Sequence, residues 1–298
     1  MNKYSVYAAN LGGSLISGIS EQEINPQLVE AILHTDGNPD PTYIGPMEAK
    51  PVIPFTSTEI AALLTLLGSA GWIVTGGGAI FYCQRMTEIG RSTGSDHLRM
   101  LVNRGVVIPE QLTAGTGQGG EARLRANCHC TWDGTNSPIV TSLAALAGTP
   151  EISKVYNAGP VKINGTLLGG VQNITVQFGV NLTQDLADGE GLPRDAFTAT
   201  RDPIITITTT HVTALNTLGI AGTGITANVV AYLTRLKNDD QSLRYANNVA
   251  EHISLTMAAG RVSCRQISDD PQMAQIQVTP SKPTGSLAIV VNTAATIV

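Results

Sequence analysis

Cys128-His129-Cys130 is where this sequence concentrates ligand chemistry: two thiols flank an imidazole, the donor types of a zinc site or of an activated nucleophile. A zinc site needs a second ligand pair at a recognisable spacing, such as Cys-x-x-Cys or His-x-x-x-His, and none occurs. Alternation along a strand instead puts Cys128 and Cys130 on one face, where unpaired cysteine packs as a small hydrophobe. Cys83 and Cys264 add no framework spacing, so the cysteines are expected as thiols.

Gly115-Thr116-Gly117-Gln118-Gly119-Gly120 has the glycine density of a phosphate loop but lacks the Gly-Lys-Ser/Thr ending and the strand-to-helix setting. It reads as a surface loop, as does Gly76-Gly77-Gly78. His97 and His252 fall on expected strand faces that need no catalysis to explain them. Asn164, Asn173 and Asn181 begin glycosylation sequons, but Met1-Asn2-Lys3-Tyr4 opens no secretory leader, so secretion is not expected. The most apolar stretch, Ile60 to Val74, is interrupted by Thr65, Gly68, Ser69 and Gly71 and falls short of the ~18 residues of a membrane span. The expectation is therefore no catalytic, metal or cofactor-binding residues, no cofactor, no membrane partner and no enzyme activity.

These residues sit in an unusual composition. Of 298 residues, 42% are hydrophobic and only 14% charged, against about 25% charged in ordinary globular chains. Few charges leave little repulsion between copies, so self-assembly is expected. A net charge of −5 argues against gripping nucleic acid, which requires clustered Lys and Arg, but not against a wall that nucleic acid slides past.

An internal repeat organises the chain. Leu11-Gly12-Gly13 matches Leu168-Gly169-Gly170, Pro51 to Thr56 matches Pro203 to Thr208, and Leu67-Gly68-Ser69-Ala70-Gly71 matches Leu218-Gly219-Ile220-Ala221-Gly222. Tyr82 and Arg85 match Tyr232 and Arg235, and His97 to Leu112 runs without a gap against His252 to Ile267, aligning Gly105 with Gly260. Collinear matches of this kind predict two tandem domains, 1–150 and 151–298, joined at Gly148-Thr149-Pro150.

Each copy reads as mainly β with one short helix, an α+β layout most simply arranged as a sandwich with the helix on one side. Ile174 to Leu182 alternates apolar and uncharged polar residues as a single half-buried strand. His97 to Leu112 and His252 to Ile267 read as hairpins turning at Asn103-Arg104-Gly105 and Ala258-Ala259-Gly260. Arg123 to Thr131, Ala274 to Thr279, and the stretches from Ile139 and Leu287 onward read as further strands. Thr56-Ser57-Thr58-Glu59 has the capping-box pattern for a helix stopped by Gly68, and Thr209 to Leu218 is its equivalent. Matched acidic, turn-rich loops, Asp36 to Pro41 and Asp188 to Pro193, are either solvated tips or contact arms.

The proline-initiated strand before a Thr-capped helix, in Lys50 to Gly68 and again in Asp202 to Gly219, together with the strand from Ile174, resembles the tail tube proteins of long-tailed bacteriophages. The resemblance lies in element order over most of the chain. It implies two tandem β-sandwich, barrel-forming domains, each with one short helix. Six such folds close a ring in this family, so a duplicated chain implies a homotrimer with approximate six-fold symmetry, stacked into a tube that conducts DNA during ejection without binding it specifically. It further implies a place in the virion tail after assembly in the host cytoplasm, with tape measure, terminator and baseplate proteins as partners. The loops carrying Asp36, Asn38, Asp40, Asp188 and Glu190 are then candidate contacts between stacked rings. A tail hub, baseplate or tail-completion protein built on the same duplicated fold fits the same resemblance. A two-domain β-sandwich adhesin or glycan-binding protein is the alternative outside it, although aromatic residues make up only 4% of the chain.

Overall fold

Period-two alternation governs most of the chain, and the fold is mainly β with one short helix among the described residues. The computed structural model describes residues 3–34, 39–88, 90–152, 154–186, 191–212, 224–237, 243–269, 272–281 and 289–297. The first half runs β1 (Lys3–Leu11), β2 (Ser14–Ile16), β3 (Ile19–Gln22), β4 (Leu28–Leu33), β5 (Tyr43–Ala49), β6 (Val52–Ser57), α1 (Ile60–Leu67), β7 (Trp72–Val74), β8 (Ala79–Thr87), β9 (Gly90–Arg91), β10 (His97–Val102), β11 (Arg104–Gly115), β12 (Arg123–Thr131) and β13 (Ile139–Ala144). The second runs β14 (Tyr156–Ile163), β15 (Thr166–Leu168), β16 (Val171–Gln177), β17 (Val180–Leu186), β18 (Pro193–Arg201), β19 (Ile204–Thr209), β20 (Ile225–Arg235), β21 (His252–Asp269), β22 (Gln272–Pro280) and β23 (Val290–Ala295).

Strand pairing is antiparallel throughout and follows one order twice. The sheet β13-β10-β8-β1-β2 has the counterpart β23-β21-β20-β14-β15. The run β11-β12-β6-β3 has the counterpart β21-β22-β19-β16, with β21 doing the work of both β10 and β11. Register repeats as well: β4 and β5 pair from Leu28↔Ala49 to Leu33↔Tyr43, and β17 and β18 from Val180↔Arg201 through Asp185↔Asp195, with an irregularity at Val29/Glu30 and again at Asn181/Leu182. One hydrophobic cluster joins both halves, from Phe55 and Phe81, edge to face at 5.3 Å, through Tyr156 and Phe178 to Ile276. Burying each such side chain contributes roughly 1.5–3 kcal/mol.

Several local expectations are corrected. The helix does not start from a Thr56 capping box. Thr56 and Ser57 remain in β6, held by the ladder to β12, and Thr56 Oγ1 donates to Glu21 Oε2 at 3.0 Å. Ser57 Oγ accepts the Glu59 amide at 3.0 Å and donates to the Ser17 carbonyl at 2.6 Å, so α1 begins only at Ile60. Its end is as expected: the Gly68 amide donates to the Leu64 carbonyl at 2.8 Å with φ +56°. In the second half Thr208 and Thr209 end β19, and residues 213–218, where the second helix was expected, lie outside the described residues.

His97 to Leu112 is not a hairpin. β10 pairs with β8 and β13 in one sheet, whereas β11 pairs with β12, β7 and β16 in the other, so the chain crosses between layers at Asn103. At the matching place β21 passes through Ala258-Ala259-Gly260 without turning back. Glycine is required at this crossing because a Cβ at Gly105 would collide with the His129 carbonyl, and one at Gly260 with Val278 and Met257. The turn Gly12-Gly13 finds its structural counterpart in Asn164-Gly165 rather than Gly169-Gly170, since both join paired strands through positive φ (+58°, +86° and +48°, +85°).

Candidate assembly interface

The two halves meet as strands of one sheet. β11 of the first half pairs with β16 of the second from Gln111↔Gln177 to Gly115↔Asn173. One edge of β11 is divided between two partners, β7 along Gly105 to Val107 and β16 from Gln111 onward. The register irregularity at Pro109, which has no amide to offer a ladder, separates them. The Phe178 amide donating to the Glu110 carbonyl at 3.0 Å, and that of Thr116 to the Gln172 carbonyl at 3.0 Å, extend the seam at both ends.

The expected single strand from Ile174 to Leu182 is therefore two. β16 ends at Gln177, and the chain turns out of the sheet at Gly179, with φ +60°. A Cβ there would strike the backbone of Asp202, whose amide donates to the Gly179 carbonyl at 2.9 Å. This break launches β17 and β18 as a separate hairpin that lies across the first half. The Trp132 amide donates to the Pro193 carbonyl at 2.8 Å, the Arg194 guanidinium stands 5.3 Å from the Trp132 ring centre, and the Ala49 amide donates to the Gly191 carbonyl at 2.7 Å. Arg104 and Asp195 form an ion pair, but both are exposed, so it contributes at most about 1 kcal/mol. Beneath the hairpin lies a cleft of about 600 Å³ between Leu182 and Gln184 on one side and Ile108, Asn127 and His129 on the other. Burial pushes the His129 pKa below its ordinary value.

The same joined sheet presents a largely uncharged outer face in the second half: Thr175 and Gln177 on β16, Thr206 and Thr208 on β19, Gln275 and Gln277 on β22. In the first half this face carries charge, but Arg125 Nε lies 2.9 Å from Glu110 Oε2. Cys128 and Cys130 point the other way, fully buried and unbridged, and a hydrogen bond with Cys128 together with burial raises the Cys130 pKa. Their partner in the motif, His129, faces the cleft.

Of the expected loop contacts, Asp40 is exposed in a bend just before β5, while Asp36, Asn38, Asp188 and Glu190 lie outside the described residues. Gly191, next to the second loop, bonds sideways to the other half of the same chain. What the sequence reading missed is the apolar flank of the first loop. Leu28, Val29, Ile32, Leu33, Tyr43 and Ile44 on β4 and β5 are each about half exposed or more, at 49–59%. The available signal was an apolar run on both sides of Asp36-Gly37-Asn38-Pro39.

At the other end of each half an imidazole, a guanidinium and a carboxylate converge: His97 with Arg85 and Asp96, His252 with Arg235 and Glu251. Each ring is buried as an acceptor of a backbone amide, which is a packing role. Among the described residues no group of three or more His, Cys, Asp or Glu is placed to hold a metal ion, and no helix is long and apolar enough to cross a membrane. No protein-family model matches this chain, and no curated protein matches it.

Proposed function

We propose that this chain is the ring-forming subunit of a tail-tube-like conduit, each chain supplying two tandem domains, 1–150 and 151–298. The observation that carries the reading is the β11–β16 seam. It joins unlike edges of two units with the same strand order, a heterologous contact, and such a contact propagates: it closes into a ring when the rotation permits and runs on as a filament when it does not. Two complementary edges remain in the joined sheet. β3, the counterpart of β16, is one terminal strand, and among the described residues 263–269 of β21, the counterpart of the β11 edge, pair with β22 alone. Unpaired edges of this kind are templates for another copy.

With six units to a ring, as the resemblance to tail tube proteins implies, three chains close it. The uncharged residues Thr175 on β16 and Thr206 and Thr208 on β19 then suit a channel lining that DNA passes without being held, because hydroxyls do not displace phosphate counterions. Virion tail location and contacts with other tail proteins belong to the same reading.

The test is native mass spectrometry with negative-stain microscopy of the purified protein. Trimeric rings with a central channel, alone or stacked, are the expected result. A stable monomer, or an open filament without a channel, would overturn the reading.

A further inference from the structure

The two hairpins differ in a way that identifies a second contact. Their registers coincide residue for residue, so Leu28, Ile32 and Ile44 of β4–β5 occupy the places of Val180, Gln184 and Ala196 of β17–β18. β17–β18 has a seat, the outer face of β11 and β12, and alternate residues along β17 are less exposed as a result. β4–β5 has no such seat among the described residues. It is nonetheless apolar on both faces: on the side that corresponds to the covered face of β17–β18, Ile32 stands where the other has Gln184 and Ile44 where it has Ala196, with Glu30 in the place of Leu182, and on the far side Leu33 stands where the other has Asp185 and Tyr43 where it has Asp195.

We propose that β4–β5 is a clamp that seats on a second copy of this chain, across the outer face of that copy's β21 and β22. The inference rests on the ring reading and adds to it an interface apart from the strand edges. The place of the seat follows from register. Gly105↔Cys130 in β11–β12 corresponds to Gly260↔Pro280 in β21–β22, which puts Ser263, Gln277 and Thr279 where Ile108, Asn127 and His129 lie under β17–β18. These three are uncharged, and Arg261, opposite Thr279 in the ladder, is the charge beside them. The difference in composition has a physical reason. The seat of β17–β18 is held at high local concentration by the chain itself, whereas a contact between copies must offset the lost freedom of association and needs more apolar area.

One atom-level contact makes the inference testable. Within the chain the Ala49 amide meets the Gly191 carbonyl at 2.7 Å. In the same register Arg201 takes the place of Ala49 and Pro39 that of Gly191, so Pro39 of one copy should lie beside Arg201 of the next. A backbone contact of this kind sets Cα atoms about 5 Å apart, within the span of a disulfide.

The experiment oxidises the full-length Pro39→Cys/Arg201→Cys variant and reads non-reducing mass, with Ala49→Cys/Gly191→Cys as the intramolecular control and ring formation scored by microscopy. The clamp predicts disulfide-linked dimers and trimers, ending at trimer, from the first pair, and no mass increase from the control. A second variant, Ile32→Asp/Ile44→Asp, is expected to lose at least tenfold in assembly while its far-ultraviolet spectrum and cooperative unfolding persist. Rings that form with the control disulfide closed but Pro39 and Arg201 unlinked would overturn the clamp and leave the ring reading standing. Monomers without rings would remove both.

Discussion

His97 Nδ1 accepts the backbone amide of Arg85 at 3.1 Å, and in the other half His252 Nδ1 accepts that of Arg235 at 3.2 Å. Both rings are essentially without solvent contact, and each arginine is ion-paired with the carboxylate just before the histidine, Asp96 or Glu251. Because Nδ1 accepts, the ring proton sits on Nε2, which in His252 donates to the Ala246 carbonyl at 3.0 Å. Replacing either histidine with leucine leaves a buried amide without its acceptor, at a cost of about 1–3 kcal/mol. Chemical denaturation of His97→Leu and His252→Leu should show losses of this size for both; a loss at one position only would break the equivalence.

Gly179 sets where β16 ends and the β17–β18 hairpin begins. Its φ of +60° costs an L-residue about 1–2 kcal/mol, and a side chain would also displace Asp202. Gly179→Ala should therefore lower stability by at least this amount and raise proteolytic cleavage within 180–201, read by limited proteolysis and mass spectrometry. A neutral substitution would mean that the hairpin does not depend on this turn.

Among the described residues the buried Tyr156 hydroxyl has no hydrogen-bond partner, and burial pushes its pKa up to about 12, more than nearby Arg235 can offset. The raised value means that the folded chain holds this proton more tightly than the unfolded one. Stability linked to it is complete below pH 10 and is lost as pH rises toward 12. Tyr156→Phe removes an unsatisfied group of the same shape, so equal stability or a gain of up to about 1 kcal/mol is expected, with a flatter alkaline limb in thermal melts.

His129 has the opposite linkage. Burial in the cleft holds its pKa below 6.5, so the unfolded chain takes up this proton at a pH where the folded chain does not. The associated stability is present above pH 6.5 and is lost as pH falls through the lower, folded value. Melting temperatures measured from pH 8 to 5 should decline more in the wild type than in His129→Gln, the difference isolating this group from the carboxylates that titrate lower.

Local pattern alone specified a mainly β chain, with β12 placed at Arg123 to Thr131, Cys128 and Cys130 on its buried face, and a helix stopped at Gly68, because period-two burial and glycine at positive φ are properties of neighbours in sequence. It also aligned His97 with His252 and Gly105 with Gly260, pairs that the structure places in matching contacts. It misread the layer crossings as hairpins, since a strand that turns back and one that continues into another sheet carry the same alternation. The capping box failed because Thr56 and Ser57 answer to β12 and Ser17, partners distant in sequence. Nothing local told that Ile174 to Leu182 would divide at Gly179, that β16 would pair with β11, or that the flanks of Asp36-Gly37-Asn38-Pro39 would form an exposed apolar hairpin. Those are decided by which edges and faces the tertiary structure leaves uncovered, and an edge becomes free only once every other strand has found its partner.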